Sequence, residues 1–233
     1  MRPLAPFFAA LLLSGATTYG ALYYSGTLDT VIPDGNPNGI SSSINVSGMG
    51  ASVYDVSVSV NLSGGYNGDL YAYLSYGNGS VVLLNRIGKT STDPFGSSSS
   101  GMLVTFSDSA LTDIHSFSGG SPITGTYQPD CRTDDPQIVL DTSARGPSLS
   151  SLNGPNVNGN WTIFFADMAS GGGSGPSTLM SWGLDVTPVP EPANMALGIL
   201  AGLFVLFATI RSRRVRAWIS RSRSAFSRWV DAA

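Results

Sequence analysis

Asp55-Val56-Ser57-Val58-Ser59-Val60-Asn61-Leu62 is the stretch that decides the fold. Val56, Val58, Val60 and Leu62 fall on one side of an extended chain, and Asp55, Ser57, Ser59 and Asn61 on the other. Successive side chains of a strand point to opposite faces, so this is a strand with one dry face. Leu70, Ala72, Leu74 and Tyr76 repeat the pattern after the turn Gly64-Gly65-Tyr66-Asn67-Gly68. Further strands are expected at 44–47, 81–85, 102–106, 161–166 and 180–186. The last would place Met180, Trp182, Leu184 and Val186 on one face. Gly77-Asn78-Gly79 and Asn158-Gly159-Asn160 are turn signals between strands. No amphipathic helix of twelve residues is evident. Seven or eight short strands at this spacing predict an all-β domain, a sandwich or jelly roll. Trp161 and Trp182 sit in the last two strands and are the expected structural core.

The chain has 233 residues, and only 12% of them are charged. Few charges with many Gly, Ser, Thr and Asn suit a loop-rich exported β domain better than a helical enzyme. Between residues 21 and 190, thirteen aspartates face four basic residues, Arg86, Lys89, Arg132 and Arg145, for a formal charge of −9. Such a domain repels phosphate, so nucleic acid is excluded as its ligand. The one cysteine, Cys131, permits no intrachain disulfide. Beside Asp130 and Arg132 in a polar loop, it reads as an incidental surface cysteine ahead of a reactive thiol or lipidation site.

Both ends read as addresses. Residues 1–20 have a positive start at Arg2, an apolar run over 4–13 and small residues up to Gly20. This is the plan of a secretory signal peptide, with cleavage expected after Gly20 or after Ala16. Residues 21–29 are expected to be a short linker and 30–187 the β domain. At the other end, Val189-Pro190-Glu191-Pro192 (within the Pro-rich stretch 188–192) precede the charge-free run 193–210. Eighteen charge-free residues just suffice for a transmembrane helix. Arg211, Arg213, Arg214 and Arg216 follow, opening a basic tail over 211–233 that would stay on the cytoplasmic side.

The order of Pro-Glu-Pro, apolar helix and arginine cluster resembles the PEP-CTERM sorting signal of Gram-negative bacteria. That resemblance implies recognition by an exosortase-type processing enzyme and a link to exopolysaccharide. Within the β domain, Ile32-Pro33-Asp34, Gly68-Asp69-Leu70, Asn85-Arg86 and Gly125-Thr126-Tyr127-Gln128-Pro129 come in sequence. Leu152-Asn153-Gly154, Asn158-Gly159-Asn160-Trp161-Thr162, Asp167 and Ser181-Trp182-Gly183-Leu184 follow them. As an ordered set these resemble the P domain, or P/Homo B domain, of proprotein convertases over residues 30–187. The resemblance implies a jelly-roll β-sandwich that accompanies a subtilisin-like serine protease, although no protease domain precedes it within these residues.

Candidate chemistry is sparse. A serine-protease triad needs a histidine base, and the only histidine is His115. One histidine and one cysteine cannot build a zinc site from several such ligands. Calcium prefers carboxylate and carbonyl oxygen, and Asp34, Asp69 and Asp167 lie in the family-like motifs, while Asp130, Asp134 and Asp135 crowd one loop. Turn capping by these aspartates is the competing explanation. Tyr71 and Tyr73 should share one sheet face, with Tyr76 on the other; aromatic faces stack on sugars but also simply cover sheets. The sequence therefore points to an exported, envelope-anchored domain without catalysis or cofactor, associated with the surface or matrix of a Gram-negative cell. Its expected partners are exosortase, the membrane, exopolysaccharide and, as the alternative, a secreted protease.

Overall fold

The computed structural model describes residues 20–49, 53–171, 175–188 and 198–213. The described residues fall in two units, one within Thr18–Val189 and one holding the helix over 198–213.

Among the described residues the first unit has ten strands in two sheets. They are β1 (Ala21–Tyr24), β2 (Thr30–Val31), β3 (Ile40–Val46), β4 (Val53–Ser63) and β5 (Leu70–Tyr76), then β6 (Gly79–Asn85), β7 (Met102–Phe106), β8 (Ile123–Tyr127), β9 (Gly159–Asp167) and β10 (Thr178–Pro188). One sheet has the order β1-β10-β4-β7-β8, with β2 also on β10; the other has the order β3-β9-β5-β6. Every pairing is antiparallel except that of β7 with β8. The stretch 21–29, read above as a linker, contains β1, whose Leu22 and Tyr23 pair with Asp185 and Leu184.

The alternation in β4 appears directly as burial. Val56, Val58, Val60 and Leu62 are buried, and their polar neighbours face outward. From the other sheet, Leu70, Ala72, Leu74, Trp161 and Ile163 join the same apolar cluster. Each fully buried Leu- or Ile-sized side chain contributes roughly 1.5–3 kcal/mol over exposure. Trp161 and Trp182 are the largest buried side chains. The Trp161 indole N–H donates to the Val157 carbonyl at 3.0 Å. The Trp182 N–H crosses the sandwich to the Ser42 hydroxyl at 2.9 Å. Neither burial leaves an indole N–H unpaired.

Two strands depart from simple alternation. In β10 the register shifts between Leu179 and Ser181. A bulge puts one extra residue on one strand, so the face changes there. Leu179 takes the inward position and Met180 does not, which corrects the expected Met180–Trp182 face. The Met180 sulfur instead accepts from the Ser63 hydroxyl at 3.3 Å. In β6, residues 81–85 are buried without a break. The edge of β6 away from β5 is closed by the segment after β8, where the Asp130 and Cys131 amides donate to the Leu83 and Val82 carbonyls.

Gly39 shows where only glycine fits. Its φ is +50°, and an added Cβ would collide with the Phe165 carbonyl of the neighbouring strand. Backbone cannot yield as a flexible side chain can, so Gly39 fixes the entry into β3.

Of the second unit, a helix over 198–213 is described, running through Arg211 and Arg213. Among the described residues no helix is long and apolar enough to cross a membrane. This limits the expected span of 193–210. The described apolar part begins at residue 198 and covers about 20 Å at 1.5 Å per residue, against a hydrocarbon core of about 30 Å. Residues 1–19, the sorting motif Val189, Pro190, Glu191 and Pro192, and Arg214 and Arg216 lie outside the described residues.

Candidate functional site

The four cations of the β domain hold loops. Arg86 donates from Nε to the Gly68 carbonyl and pairs with Asp69 at 3.4 Å. Lys89 Nζ donates to the carbonyls of Pro136 and Gln137. Arg145 donates to the carbonyls of Pro129 and Asp130 and to the Gln128 side chain. Arg132 Nη1 bonds Asp113 Oδ2 at 2.8 Å and Asp130 Oδ1 at 3.0 Å, and Nη2 reaches the Asp141 carbonyl.

At the centre of this network His115 is 1% exposed and Asp130 is 0% exposed. His115 Nδ1 lies 2.8 Å from Asp130 Oδ2, and Nε2 lies 3.0 Å from the Lys89 carbonyl. Both partners are acceptors, and only an imidazolium donates from both nitrogens. Burial opposes that charge. The hydrogen bond and charge of Asp130, together with the Lys89 carbonyl, outweigh it and raise the imidazole above its ordinary range. With both nitrogens engaged, His115 has no free lone pair for a general base. Asp130, which the sequence groups with Asp134 and Asp135 in one acidic loop, faces inward and also accepts the Asn85 amide at 3.1 Å.

Cys131 is buried, which corrects its reading as a surface residue. It adopts φ +58° and borders a cavity of about 280 Å³ with Asp108, Gln128, Arg145, Gly146 and Ser148. Burial pushes its thiol up to about 11, against the pull of Arg145. A thiol that protonated is a poor nucleophile. In the native state it should resist iodoacetamide at pH 8 and react fully once urea unfolds the domain. Rapid native labelling, followed by mass spectrometry, would show that the site opens. In the same cavity Ser148 donates to Asp108 Oδ2 at 2.8 Å, a carboxylate without the histidine that activates a serine.

Asp34, Asp69 and Asp167 do come close enough to feel one another. The Asp69 carboxyl is pushed up to about 6 by burial first, with Arg86 opposing and Asp167 and Asp34 adding to the rise. Asp167 is also raised, by burial and then by Asp34, while its bond to the Ala169 amide opposes. Both Asp34 oxygens accept the Gly171 amide at 3.1 Å, and Asp167 Oδ1 accepts the Ala169 amide at 3.2 Å. These are turn-locking bonds. Among the described residues no group of three or more His, Cys, Asp or Glu is arranged to hold a metal ion.

A stability consequence follows from the direction of these shifts. A carboxyl whose folded pKa exceeds its unfolded value binds more protons when folded, so its contribution is largest at low pH. For Asp69 the contribution is lost between about pH 4 and about pH 6. The thermal midpoint should fall across that window, and Asp69→Asn should flatten the fall. A midpoint that climbs equally in both proteins over this range would contradict the burial of Asp69.

The outer face of the four-stranded sheet has a different chemistry. Register aligns Ser41, Phe164, Tyr73 and Val82 in one row, and Ser43, Thr162, Ser75 and Ser80 in the next. Tyr73 stacks on Phe164 with centroids 4.9 Å apart and planes 20° apart, and Tyr71 lies 6.1 Å from Tyr73. Ser43 and Thr162 hydroxyls bond at 2.8 Å, and Asn45 bonds Asn160 at 2.8 Å. Tyr76 belongs to the other face, where it stacks on Trp161 at 4.2 Å. The sequence separates Tyr71 and Tyr73 from Tyr76 correctly by strand period. It does not reveal Phe164, because β9 must first be placed beside β5.

No protein-family model matches the chain, and no curated protein matches it in sequence. Among solved structures, the chain aligns with one in the complex of the Aeromonas sobria serine protease and the chaperone ORF2, at 16% identity and a TM-score of 0.42. That alignment covers 73% of this chain and 27% of the other, so this chain spans about a quarter of its length.

Proposed function

We propose that this is an exported β-sandwich protein of the cell envelope, with a non-catalytic role in the surface or extracellular matrix. The observation that carries the reading is how the reactive groups are used. His115, Arg86, Lys89 and Arg132 are buried and bonded to loop atoms, Cys131 is buried, and the exposed Arg145 is tied to the carbonyls of Pro129 and Asp130. What the domain offers outward is chiefly polar sheet face and loop. The strand orders 1-10-4-7 and 3-9-5-6 support the jelly-roll reading implied by the P/Homo B resemblance. Export and exosortase processing belong to the same proposal and rest on residues 1–20 and on Val189, Pro190, Glu191 and Pro192 with the arginines after them.

Fractionation of the native host tests this, with mass spectrometry of the mature protein. The domain is expected outside the cytoplasm, lacking the segment before Ala21 and trimmed near Pro192. Recovery of the full chain, Met1 to Ala233, in the cytoplasm would refute it. A full C-terminus in the inner membrane would reduce the tail to an anchor. In that case replacing Pro190, Glu191 and Pro192 with alanine should change nothing.

A further inference from the structure

We propose that the outer face of the four-stranded sheet binds a neutral polysaccharide, seated on Tyr73 and Phe164 and hydrogen-bonded by the hydroxyls beside them. This deepens the surface role proposed above and rests on it. Apart from Val82 and Ala166, which are buried beside Tyr73 and Tyr71, the outward positions on this sheet are Ser, Thr and Asn, as a solvated face requires. Tyr71, Tyr73 and Phe164 break that pattern together, on adjacent strands, at half-buried positions. Tyr73 and Phe164 stack on one another at 4.9 Å, and Tyr71 leans against Tyr73 at 6.1 Å with planes 57° apart, so the three rings form one aromatic cluster on this face. The next row offers the hydroxyls of Ser43, Thr162 and Ser75.

Sugar rings present both chemistries at once. Their C–H faces are apolar and pack on flat aromatic rings, while their hydroxyls at the rim exchange hydrogen bonds with side-chain hydroxyls. Charge selects among sugars. The domain carries a formal charge of −9 between residues 21 and 190, yet β3, β5 and β6 contain no Asp, Glu, Lys or Arg, and β9 has only Asp167 at its end. A polyanionic polysaccharide is repelled by the domain and finds no cation on this face. A neutral one meets no penalty. The occupant that matches is therefore an uncharged polymer of pyranose rings.

Affinity electrophoresis of the full chain in mild detergent tests this, with dextran, hydroxyethylcellulose and galactomannan as neutral probes and alginate as the polyanion. At least one neutral polymer should retard the wild type, and alginate should not. Tyr73→Leu keeps apolar cover over Phe164 but removes the ring plane. It should weaken retardation about tenfold with an unchanged melting midpoint, whereas Tyr73→Phe should stay close to wild type. Failure of all three neutral polymers, or equal retardation of Tyr73→Leu, overturns the proposal. A purely structural Tyr73–Phe164 pair would lower the melting midpoint and leave retardation alone. Co-sedimentation with matrix isolated from the host separates the two levels. Persistence there without neutral-polymer binding defeats this face alone, and loss of both defeats the surface role as well.

Discussion

Trp161→Ala should destabilise the β domain by about 3–5 kcal/mol, read as a lower urea midpoint with an unchanged slope. The side chain is 0% exposed and stacks on Tyr76 at 4.2 Å with planes 9° apart. Truncation removes its apolar area and opens a cavity that the two sheets cannot close, because their backbones are fixed by ladder bonds on both sides of β9. The Val157 carbonyl also loses its donor. Trp161→Phe separates these contributions, since it keeps most of the burial and forfeits the bond, at about 1 kcal/mol or somewhat more. An alanine variant within 1 kcal/mol of wild type would mean that the sandwich is not packed around this residue.

Asp130→Ala should cost a similar amount, about 3–5 kcal/mol, by a different route. It strips the acceptor from His115, from Arg132 and from the Asn85 amide, all in a site closed to water. Arg132 keeps Asp113, but the His115 imidazolium is left buried without a counter-ion and with Arg132 as a charged neighbour. The cost is the desolvation of the groups left behind, and it exceeds the net worth of the pair. Combining Asp130→Ala with His115→Leu should recover part of the loss, because the second change removes one stranded charge. Strict additivity of the two would show that the residues do not act as a unit.

The same pair sets a pH response with a defined sign. His115 has a folded pKa above its ordinary value, so its contribution is complete below about pH 6.5 and is lost as pH rises through the folded value. His115→Gln should remove that loss. The shifts of His115 and Asp69 have the same sign, and each contributes a loss of stability as pH rises.

Strand positions were legible because burial on a sheet has period two. Val56 to Leu62 and Leu70 to Leu74 carry that period without interruption. The boundaries of β7 coincide with the expected 102–106. The face of Met180 was not legible, because a bulge is a property of the pairing and not of one strand's pattern. Nor was β1, whose four residues become a strand only because β10 offers an open edge. Parallel pairing of β7 with β8 likewise depends on where the chain returns.

The chemistry divides in the same way. Composition alone determined that the domain is acidic, that it has one histidine and one cysteine, and that no disulfide or multi-histidine metal site can form within it. Only the tertiary structure decided that His115 meets Asp130, that Cys131 is interior, and that Phe164 joins Tyr73. Local sequence fixes which way a side chain points along its own strand. Its partners are fixed by folding contacts between residues far apart in the chain, such as Tyr73 and Phe164, and those depend on sheet order and register.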